Sequence, residues 1–205
     1  GILIDEVLKK GPFDKNHSKV EAGNIIEKID GIEIAKDMDY YPLLNKKVGK
    51  QVLVSVYNPD TKKRWEEIVK PISLGAQNEL LYQRWVNHNE EIVDSLSNGT
   101  LGYVHIRSMG DASYRDVYAD ILGKYNRRKG IVIDTRFNGG GRLHEDIEIL
   151  FSGEKYLEQV IRDSVACVMP SRRYVKPSIM IMCEANYSNA HGTPWVYKHK
   201  KMGKL

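Results

Sequence analysis

A regular alternation of short apolar runs and helical stretches most constrains the fold of residues 99–205. The apolar runs of strand length are residues 101–106, 130–134 and 179–183, and the stretches with helical periodicity are residues 116–127, 145–150 and 189–198. A strand that is apolar at every position is buried on both faces, which is typical of a parallel sheet covered by helices. We therefore predict an α/β domain with a mostly parallel sheet.

Residues 1–74 show a different pattern, of short strands separated by turns. Asp30-Gly31 is a strong hairpin signal between two apolar stretches, and valines alternate with other residues along residues 49–57, as in a half-buried strand. A short helix is predicted over residues 37–45, with Asp37 as its N-cap. These features indicate a small β-rich domain.

A helical linker is predicted between these two parts. Apolar residues recur at spacings of three and four over residues 78–96, and Ser97-Asn98-Gly99 ends the pattern. The predicted organisation is therefore a β-rich domain over residues 1–74, a helical linker over residues 75–98 and an α/β core over residues 99–205.

Composition excludes several classes of protein. The 205 residues are 41% hydrophobic and 28% charged, with a net charge of +4. No apolar run approaches the roughly 20 residues that a membrane helix needs, and the small net charge and isolated basic clusters do not indicate nucleic-acid binding. Two cysteines, Cys167 and Cys183, cannot build a four-ligand zinc site. The histidines lack metal-ligand spacing, and we predict neither a metal nor another cofactor.

The two ends of the sequence suggest a fragment of a longer protein. The chain begins with Gly1 instead of Met and ends at Leu205, directly after a predicted helix. No basic segment followed by an apolar run marks a signal peptide near the start. The compartment is therefore left open between cytoplasmic and exported.

The first segment that could carry chemistry follows the strand at residues 130–134. Gly139, Gly140 and Gly141 place unobstructed backbone amides at the edge where α/β sheets usually hold their ligands. Such amides can bind a phosphate or stabilise an oxyanion. The segment matches neither common phosphate-binding motif, and a flexible turn is the alternative interpretation.

The second segment lies between the strand at residues 179–183 and the following helix. Ser188 stands just before that helix, where the helix N-terminus stabilises negative charge and the next backbone amide can donate to an oxyanion. The alternative is that Ser188 is an ordinary helix N-cap. The glycine segment favours the nucleophile, because together the two strand ends would supply a nucleophile and two oxyanion donors.

Three motifs in register closely resemble the core of tricorn-type proteases, relatives of the C-terminal processing peptidases. The motifs are residues 102–110 (GYVHIRSMG), 134–141 (DTRFNGGG) and 184–192 (EANYSNAHG). Residues 1–74 resemble the PDZ domain that precedes this core, most clearly at residues 20–31 (VEAGNIIEKIDG). The resemblance implies a PDZ-like domain, whose first strand is expected upstream of Gly1, followed by a ClpP/crotonase-like core that is truncated at its C-terminal end.

The resemblance also implies roles for individual residues. Ser188 matches the family nucleophile, and the backbone amide of Asn189, where relatives often have Asp, matches one oxyanion donor. Gly140 is the best match for the second donor, with Gly139 beside it. The histidine base and its orienting glutamate are expected outside this sequence, as is the lysine that processing peptidases use instead. We therefore expect these 205 residues to be inactive alone.

Two histidines are candidates for the lining of the cleft. His191 lies one helical turn after Ser188, and His144 follows the glycine segment. Nearness in sequence does not make a triad, so we expect both to have structural or substrate-lining roles. His105 is predicted to be a hydrogen-bonded core residue.

The leading hypothesis is a serine endopeptidase or oligopeptidase that hydrolyses peptides or unfolded proteins through an acyl-enzyme on Ser188. The alternative is a non-catalytic scaffold that captures peptides through the PDZ-like domain. A crotonase-like acyl-CoA enzyme is a third hypothesis, and the serine at the nucleophile position argues against it. Relatives of this kind often form rings, so a homo-oligomer is possible.

Overall fold

A computed structural model describes residues 1–205. The chain divides into two compact units, Gly1–Val86 and Asn87–Leu205.

The first unit contains a five-stranded antiparallel sheet. Its strands are β1 (Ile2–Leu3), β2 (Ile25–Ile29), β3 (Ile32–Glu33), β4 (Val52–Asn58) and β5 (Lys63–Val69). The order is β1-β2-β4-β5, and β3 pairs with β2. The predicted hairpin is confirmed, since Asp30 and Gly31 join β2 to β3 with positive φ angles of 48° and 78°.

The core of the first unit is built by the alternation along β4. Val52, Val54 and Val56 point to one face and are buried, whereas Leu53 on the opposite face is exposed. Apolar side chains of the neighbouring strands and loops complete this core. The fully buried members are Val20, Ile29, Ile34, Val52, Val54, Val56 and Val69.

The predicted helix over residues 37–45 is wrong in extent and in its cap. Only a 3₁₀ helix forms, over Tyr41–Leu44, and Asp37 has a positive φ of 61° outside it. The Oδ1 of Asp39 instead accepts a hydrogen bond from the Tyr41 backbone N–H at 3.1 Å. Pro42 explains the short extent, because a proline has no N–H to donate and is tolerated only in the first turn of a helix.

The helical segment between the two parts is α1 (Leu74–Leu96). It begins four residues earlier than residue 78, because the Ser73 Oγ accepts the backbone N–H of Ala76 at 3.1 Å and caps the first turn. Asn98 and Gly99 follow its end with positive φ angles, as the turn signal predicts. No helix of the structure combines the length and the apolar character that a membrane crossing requires.

The second unit contains a three-stranded parallel sheet packed with helices, as predicted. The strands are β6 (Leu101–His105), β7 (Gly130–Asp134) and β10 (Ser178–Ile181), in the order β10-β7-β6. The helices are α2 (Asp111–Ala119), α3 (His144–Ser152) and α4 (Asn189–His199). A separate antiparallel hairpin consists of β8 (Leu157–Ile161) and β9 (Ser164–Met169).

The centre of the second unit is β7, in which all five residues are buried. Ile131 and Ile133 pack against apolar side chains from the three helices, and this confirms the continuous burial predicted for the strand. The helix predicted over residues 116–127 begins earlier, at Asp111, and continues as a π-helical turn over Asp120–Lys124. The β8–β9 hairpin was not predicted.

Replacing Ile133 by Ala should lower the free energy of unfolding by about 2–5 kcal/mol, because the side chain is 0% exposed and its removal leaves a cavity. Ile179→Ala on β10 is the matched control, since that side chain is 43% exposed and should cost less than half as much. Urea-induced unfolding followed by circular dichroism measures both values. Equal losses for the two variants would contradict the placement of Ile133 at the core.

Candidate active site

Ser188 stands where the chain leaves the parallel sheet and enters α4. It occupies the residue before the first helical position, yet its side chain makes no capping hydrogen bond. Its backbone has φ 54° and ψ −125°, a conformation that non-glycine residues rarely adopt. The simple N-cap interpretation of Ser188 is therefore wrong, and the strained backbone is of the kind that clusters at functional sites.

The glycine segment after β7 approaches Ser188 directly. A Cβ atom placed on Gly140 would lie 2.8 Å from the Ser188 Cβ and 2.8 Å from the Tyr187 carbonyl oxygen, and Gly140 has a φ of +96°. Both the contact and the backbone conformation require glycine. The structure thus brings together the two segments that the sequence singles out.

Gly141 is packed equally tightly, against Met109 in the segment before α2. Its φ is +147°, and a Cβ there would lie 1.9 Å from the carbonyl oxygen of Met109, with which it forms a parallel bridge. The Met109 N–H donates to the Gly140 carbonyl at 2.9 Å, and the Arg142 N–H donates to the Met109 carbonyl at 2.7 Å. The segment is a packed loop, not a flexible turn.

The two predicted oxyanion donors differ in their hydrogen bonding. The backbone N–H of Asn189 is at the first position of α4, where amides have no partner inside the helix, and it donates to no other group of the chain. The nitrogen of this amide lies 3.4 Å from the Cβ position of Gly140. The backbone N–H of Gly140, by contrast, donates to the Oδ1 of Asn138 at 2.9 Å.

Asn138 connects three segments of the site from a fully buried position. Its Nδ2 donates to the carbonyl of Ile106 at 2.7 Å, and its Oδ1 accepts from Gly140. Its own carbonyl accepts the N–H of Tyr187, the residue before Ser188, at 3.0 Å. Sequence reasoning missed this role, although a buried amide directly after a strand and before glycines is a usable signal.

Asn186 and Thr135 connect the segment that carries Ser188 to β7 in the same way. Both side chains are buried, and the Nδ2 of Asn186 donates to the Oγ1 of Thr135 at 2.9 Å and to the Ala190 carbonyl at 3.2 Å. The Oγ1 of Thr135 donates to the carbonyl of Ile181 at 2.9 Å. The turn that carries Ser188 is therefore fixed on both sides by buried hydrogen bonds.

An ion pair between a buried carboxylate and a partly exposed arginine lies at the end of β7. The Arg136 guanidinium contacts Asp134, with an Nη2–Oδ2 distance of 2.6 Å, and the Tyr103 hydroxyl donates to the same carboxylate at 2.8 Å. Burial would raise the pKa of Asp134, but these hydrogen bonds outweigh burial and keep that pKa below its ordinary value. The carboxylate therefore stays charged and adds stability at neutral pH, which is lost as acid protonates it.

His105 is a structural residue, as the sequence suggests. Its Nε2 hydrogen bonds to the carbonyl of Arg136 at 2.9 Å, so Nε2 carries the ring proton. Burial lowers the pKa of His105. The neutral ring joins the end of β6 to the segment after β7.

The structure places the two cleft histidines differently. The backbone N–H of His144 donates to the Oδ1 of Asn189 at 2.9 Å, and the Nδ2 of Asn189 lies 2.6 Å from the Nδ1 of His144. His191 has an exposed side chain, and its backbone N–H donates to the Ser188 carbonyl at 3.0 Å. Neither ring hydrogen bonds to the Ser188 hydroxyl. No group of three or more potential ligands among His, Cys, Asp and Glu could hold a metal ion.

The chain is similar to known peptidases over most of its length. A model of the family described as Peptidase family S41 matches residues 100–205, just over half of the chain. The tricorn protease of Thermoplasma volcanium is 28% identical over 201 residues, which cover 95% of this chain and 18% of that protein. The tricorn protease homolog of Saccharolobus solfataricus is 33% identical over 133 residues, which cover 65% and 12% of the two chains. The chain thus spans less than a fifth of the length of these relatives.

The fold also matches that of a solved relative. The crystal structure of the tricorn protease superposes with a TM-score of 0.72 and 24% sequence identity, covering 91% of this chain and 18% of that one. The mixed α/β fold and the resemblance to tricorn-type proteases are therefore confirmed.

Gly140→Ala should lower the free energy of unfolding by about 1–3 kcal/mol, since it forces a non-glycine residue to a strained φ beside Ser188. Gly139→Ala is the control from the same loop, because a Cβ there meets no atom within 4 Å and should change stability little. Chemical denaturation of the two variants measures the difference. A loss at Gly139 as large as that at Gly140 would show that the contact with Ser188 does not explain the glycine.

Proposed function

Because the chain belongs to peptidase family S41, we propose that Ser188 is the nucleophile of a serine peptidase that hydrolyses peptides or unfolded proteins. The observation that carries this proposal is the packing of Gly140 against Ser188 beside the unpartnered backbone N–H of Asn189. A hydroxyl, a free amide donor and a glycine without a side chain leave room at one point for a peptide carbonyl.

The proposed reaction proceeds through an acyl-enzyme. The Ser188 Oγ attacks the carbonyl carbon of the scissile bond while a base takes the hydroxyl proton. The resulting oxyanion accepts a hydrogen bond from the backbone N–H of Asn189. The tetrahedral intermediate then collapses, the C–N bond breaks, and the base returns the proton to the leaving amine. Water hydrolyses the serine ester by the same steps, releasing the acid and restoring the hydroxyl.

Gly140 is proposed as the second oxyanion donor. Its N–H is bonded to the neutral Oδ1 of Asn138 in the free protein, so it must exchange this partner for the oxyanion. A hydrogen bond to a charged acceptor is roughly twice as strong as one between neutral groups, and this favours the exchange. Gly139, His144 and His191 are proposed to line the cleft around these donors.

The general base is proposed to come from outside residues 1–205. None of the six histidines hydrogen bonds to Ser188, and the family resemblance assigns the base and its orienting acid to segments outside this sequence. We therefore propose that these 205 residues alone hydrolyse no peptide.

Residues 1–74 are proposed to be a PDZ-like domain, followed by a helical linker over residues 75–98 and the peptidase core over residues 99–205. The support is the antiparallel sheet of the first unit and an open pocket of about 570 Å³ within it. The pocket is mainly apolar, and its lining includes Ile2, Ile4, Val7, Phe13, Tyr40 and Leu44. An extended peptide could add to such a sheet edge.

A scaffold without catalysis is the second candidate function. The observation that favours it is that the Ser188 hydroxyl has no hydrogen-bonded base within these residues. The scaffold would capture peptides through the PDZ-like domain. Assembly into a homo-oligomer is compatible with either function.

A fluorophosphonate probe should label Ser188 in the complete protein. The activated hydroxyl attacks phosphorus and displaces fluoride, and the base takes the hydroxyl proton. Ser188→Ala should abolish the label. Peptide mass mapping identifies the labelled residue. Absence of label, or label that persists in the Ser188→Ala variant, would overturn the peptidase proposal.

Titration with free C-terminal peptides distinguishes the scaffold from the enzyme. Calorimetry on the complete protein carrying Ser188→Ala should detect saturable binding, since this substitution leaves residues 1–74 intact. The complete wild-type protein should cleave the same peptides. Saturable binding without cleavage by the wild-type protein would support the scaffold instead. An exposed-surface variant such as Lys62→Ala, in the turn between β4 and β5, serves as a control for folding.

A further inference from the structure

A hydrogen-bonded pair links the helix after the glycine loop to the helix after the nucleophile. The Asn189 side chain bonds twice to His144, through Oδ1 to the backbone N–H at 2.9 Å and through Nδ2 to the ring Nδ1 at 2.6 Å. His144 begins α3 and Asn189 begins α4. We refer to Asn189 and His144 as the clasp.

The hydrogen bonds determine the orientation of the Asn189 amide. The His144 backbone N–H can only donate, so the oxygen of the amide must face it. The NH₂ group then faces the ring, and the Nδ1 of His144 must accept with its lone pair. The clasp therefore requires a neutral His144 ring with its proton on Nε2, because an imidazolium has donors at both nitrogens.

The clasp also caps the N-terminal end of α3. The residue at the N-cap position, Leu143, has no side-chain group that accepts a hydrogen bond, and the first turn of α3 is capped from Asn189 instead. The glycine loop leads directly into this turn. The clasp thus connects the loop that carries Gly140 to the residue whose backbone N–H is the other proposed donor.

The charged groups around the clasp come mainly from α3. The Nε2 of His144 lies 4.0 Å from the Oε1 of Glu145, whose side chain is largely exposed. Glu148 and His144 line a small pocket between α3 and α4, and Glu148 is paired with Lys200 at 2.5 Å. The residues of α4 that line this pocket, Thr193, Val196 and Tyr197, carry no charge at neutral pH.

We propose that the clasp positions the oxyanion donors of Ser188, and that it holds them only while His144 is neutral. This inference rests on the proposed function, since it concerns donors for that reaction. When His144 gains a proton at Nδ1, two donors face each other and the ring must leave the amide. The glycine loop and the start of α4 then lose a direct connection. Asn189 and His144 are positioning residues through their side chains.

The structural consequence can be tested without turnover. In ¹⁵N NMR spectra of the 205-residue chain at neutral pH, the His144 ring should show a protonated Nε2 and a bare Nδ1. The backbone amide signals of Asn189 and Gly140 should shift with the same midpoint as the His144 ring when pH is lowered. His144→Ala keeps the backbone hydrogen bond but should remove this pH dependence.

Two further variants sharpen the NMR experiment. In Asn189→Asp the carboxylate can accept from both the backbone N–H and a protonated Nδ1, so the clasp should survive protonation of His144. His199→Gln, on the same helix but outside the clasp, should leave the pH dependence of the Asn189 amide unchanged. Two results would overturn the clasp. One is an unprotonated Nε2 at neutral pH, and the other is amide shifts of Asn189 and Gly140 that do not follow the His144 ring.

Labelling of Ser188 in the complete protein tests the link to reactivity. Asn189→Ala should slow labelling on the order of 10-fold at pH 7.5, because small misplacements of catalytic groups have large effects on rate. The labelling rate of Asn189→Asp divided by that of the wild type should rise as pH falls through the midpoint that NMR gives for the His144 ring. This ratio removes the pH dependence that the two proteins share. A ratio that stays constant would overturn the proposal.

The experiments test the peptidase proposal and the clasp proposal independently. If the wild-type protein takes no label at Ser188, the peptidase proposal is lost, while the NMR measurements still decide whether the clasp forms and follows the charge of His144. If the wild type is labelled but the pH ratio is flat, the peptidase proposal stands and the positioning role of the clasp is lost.

Discussion

The geometry of this site depends on the hydrogen bonds made by the buried residue Asn138. Its amide bonds to the end of β6 and to the glycine loop, and its carbonyl holds the residue before Ser188. Removing one partner of such a buried bond leaves an unsatisfied polar group that costs about 1–3 kcal/mol. One residue thus bonds to three segments at once and fixes their relative positions. The glycine loop and the turn that carries Ser188 therefore form one hydrogen-bonded arrangement.

This arrangement supports backbone conformations that would not persist by themselves. Ser188 has a positive φ, and Gly140 and Gly141 take conformations that other residues avoid. Strain of this kind persists only where the surrounding structure determines the conformation fully. Here the surroundings are the buried strand β7 and the hydrogen bonds of Thr135, Asn138 and Asn186. The core therefore stabilises the site as well as the fold.

The sequence predicts the parts of the fold that follow from burial and turn chemistry. The apolar strand β7 and the Asp30-Gly31 hairpin depend on short-range patterns. The meeting of the glycine segment with Ser188 follows from their shared place after two paired parallel strands, β7 and β10. The β8–β9 hairpin was missed because β8 is exposed at every position and shows no alternation between a buried and an exposed face. The roles of Asn138 and of the Asn189 side chain depend on partners distant in sequence, so the sequence alone does not identify those partners.

The oxyanion donors and the general base of the proposed site have different structural requirements. Oxyanion donors stabilise charge best when they are aligned before the reaction begins, and each is worth about 10²–10³ in rate. The unpartnered N–H of Asn189 meets this condition, whereas that of Gly140 must first leave Asn138. Such alignment needs a rigid, buried support, which residues 99–205 provide through the sheet and the buried amides. A general base instead needs contact with the hydroxyl and a suitable pKa, and it can be supplied by a different segment. One segment of a protein can therefore hold the oxyanion donors of the proposed site while a different segment supplies the group for proton transfer.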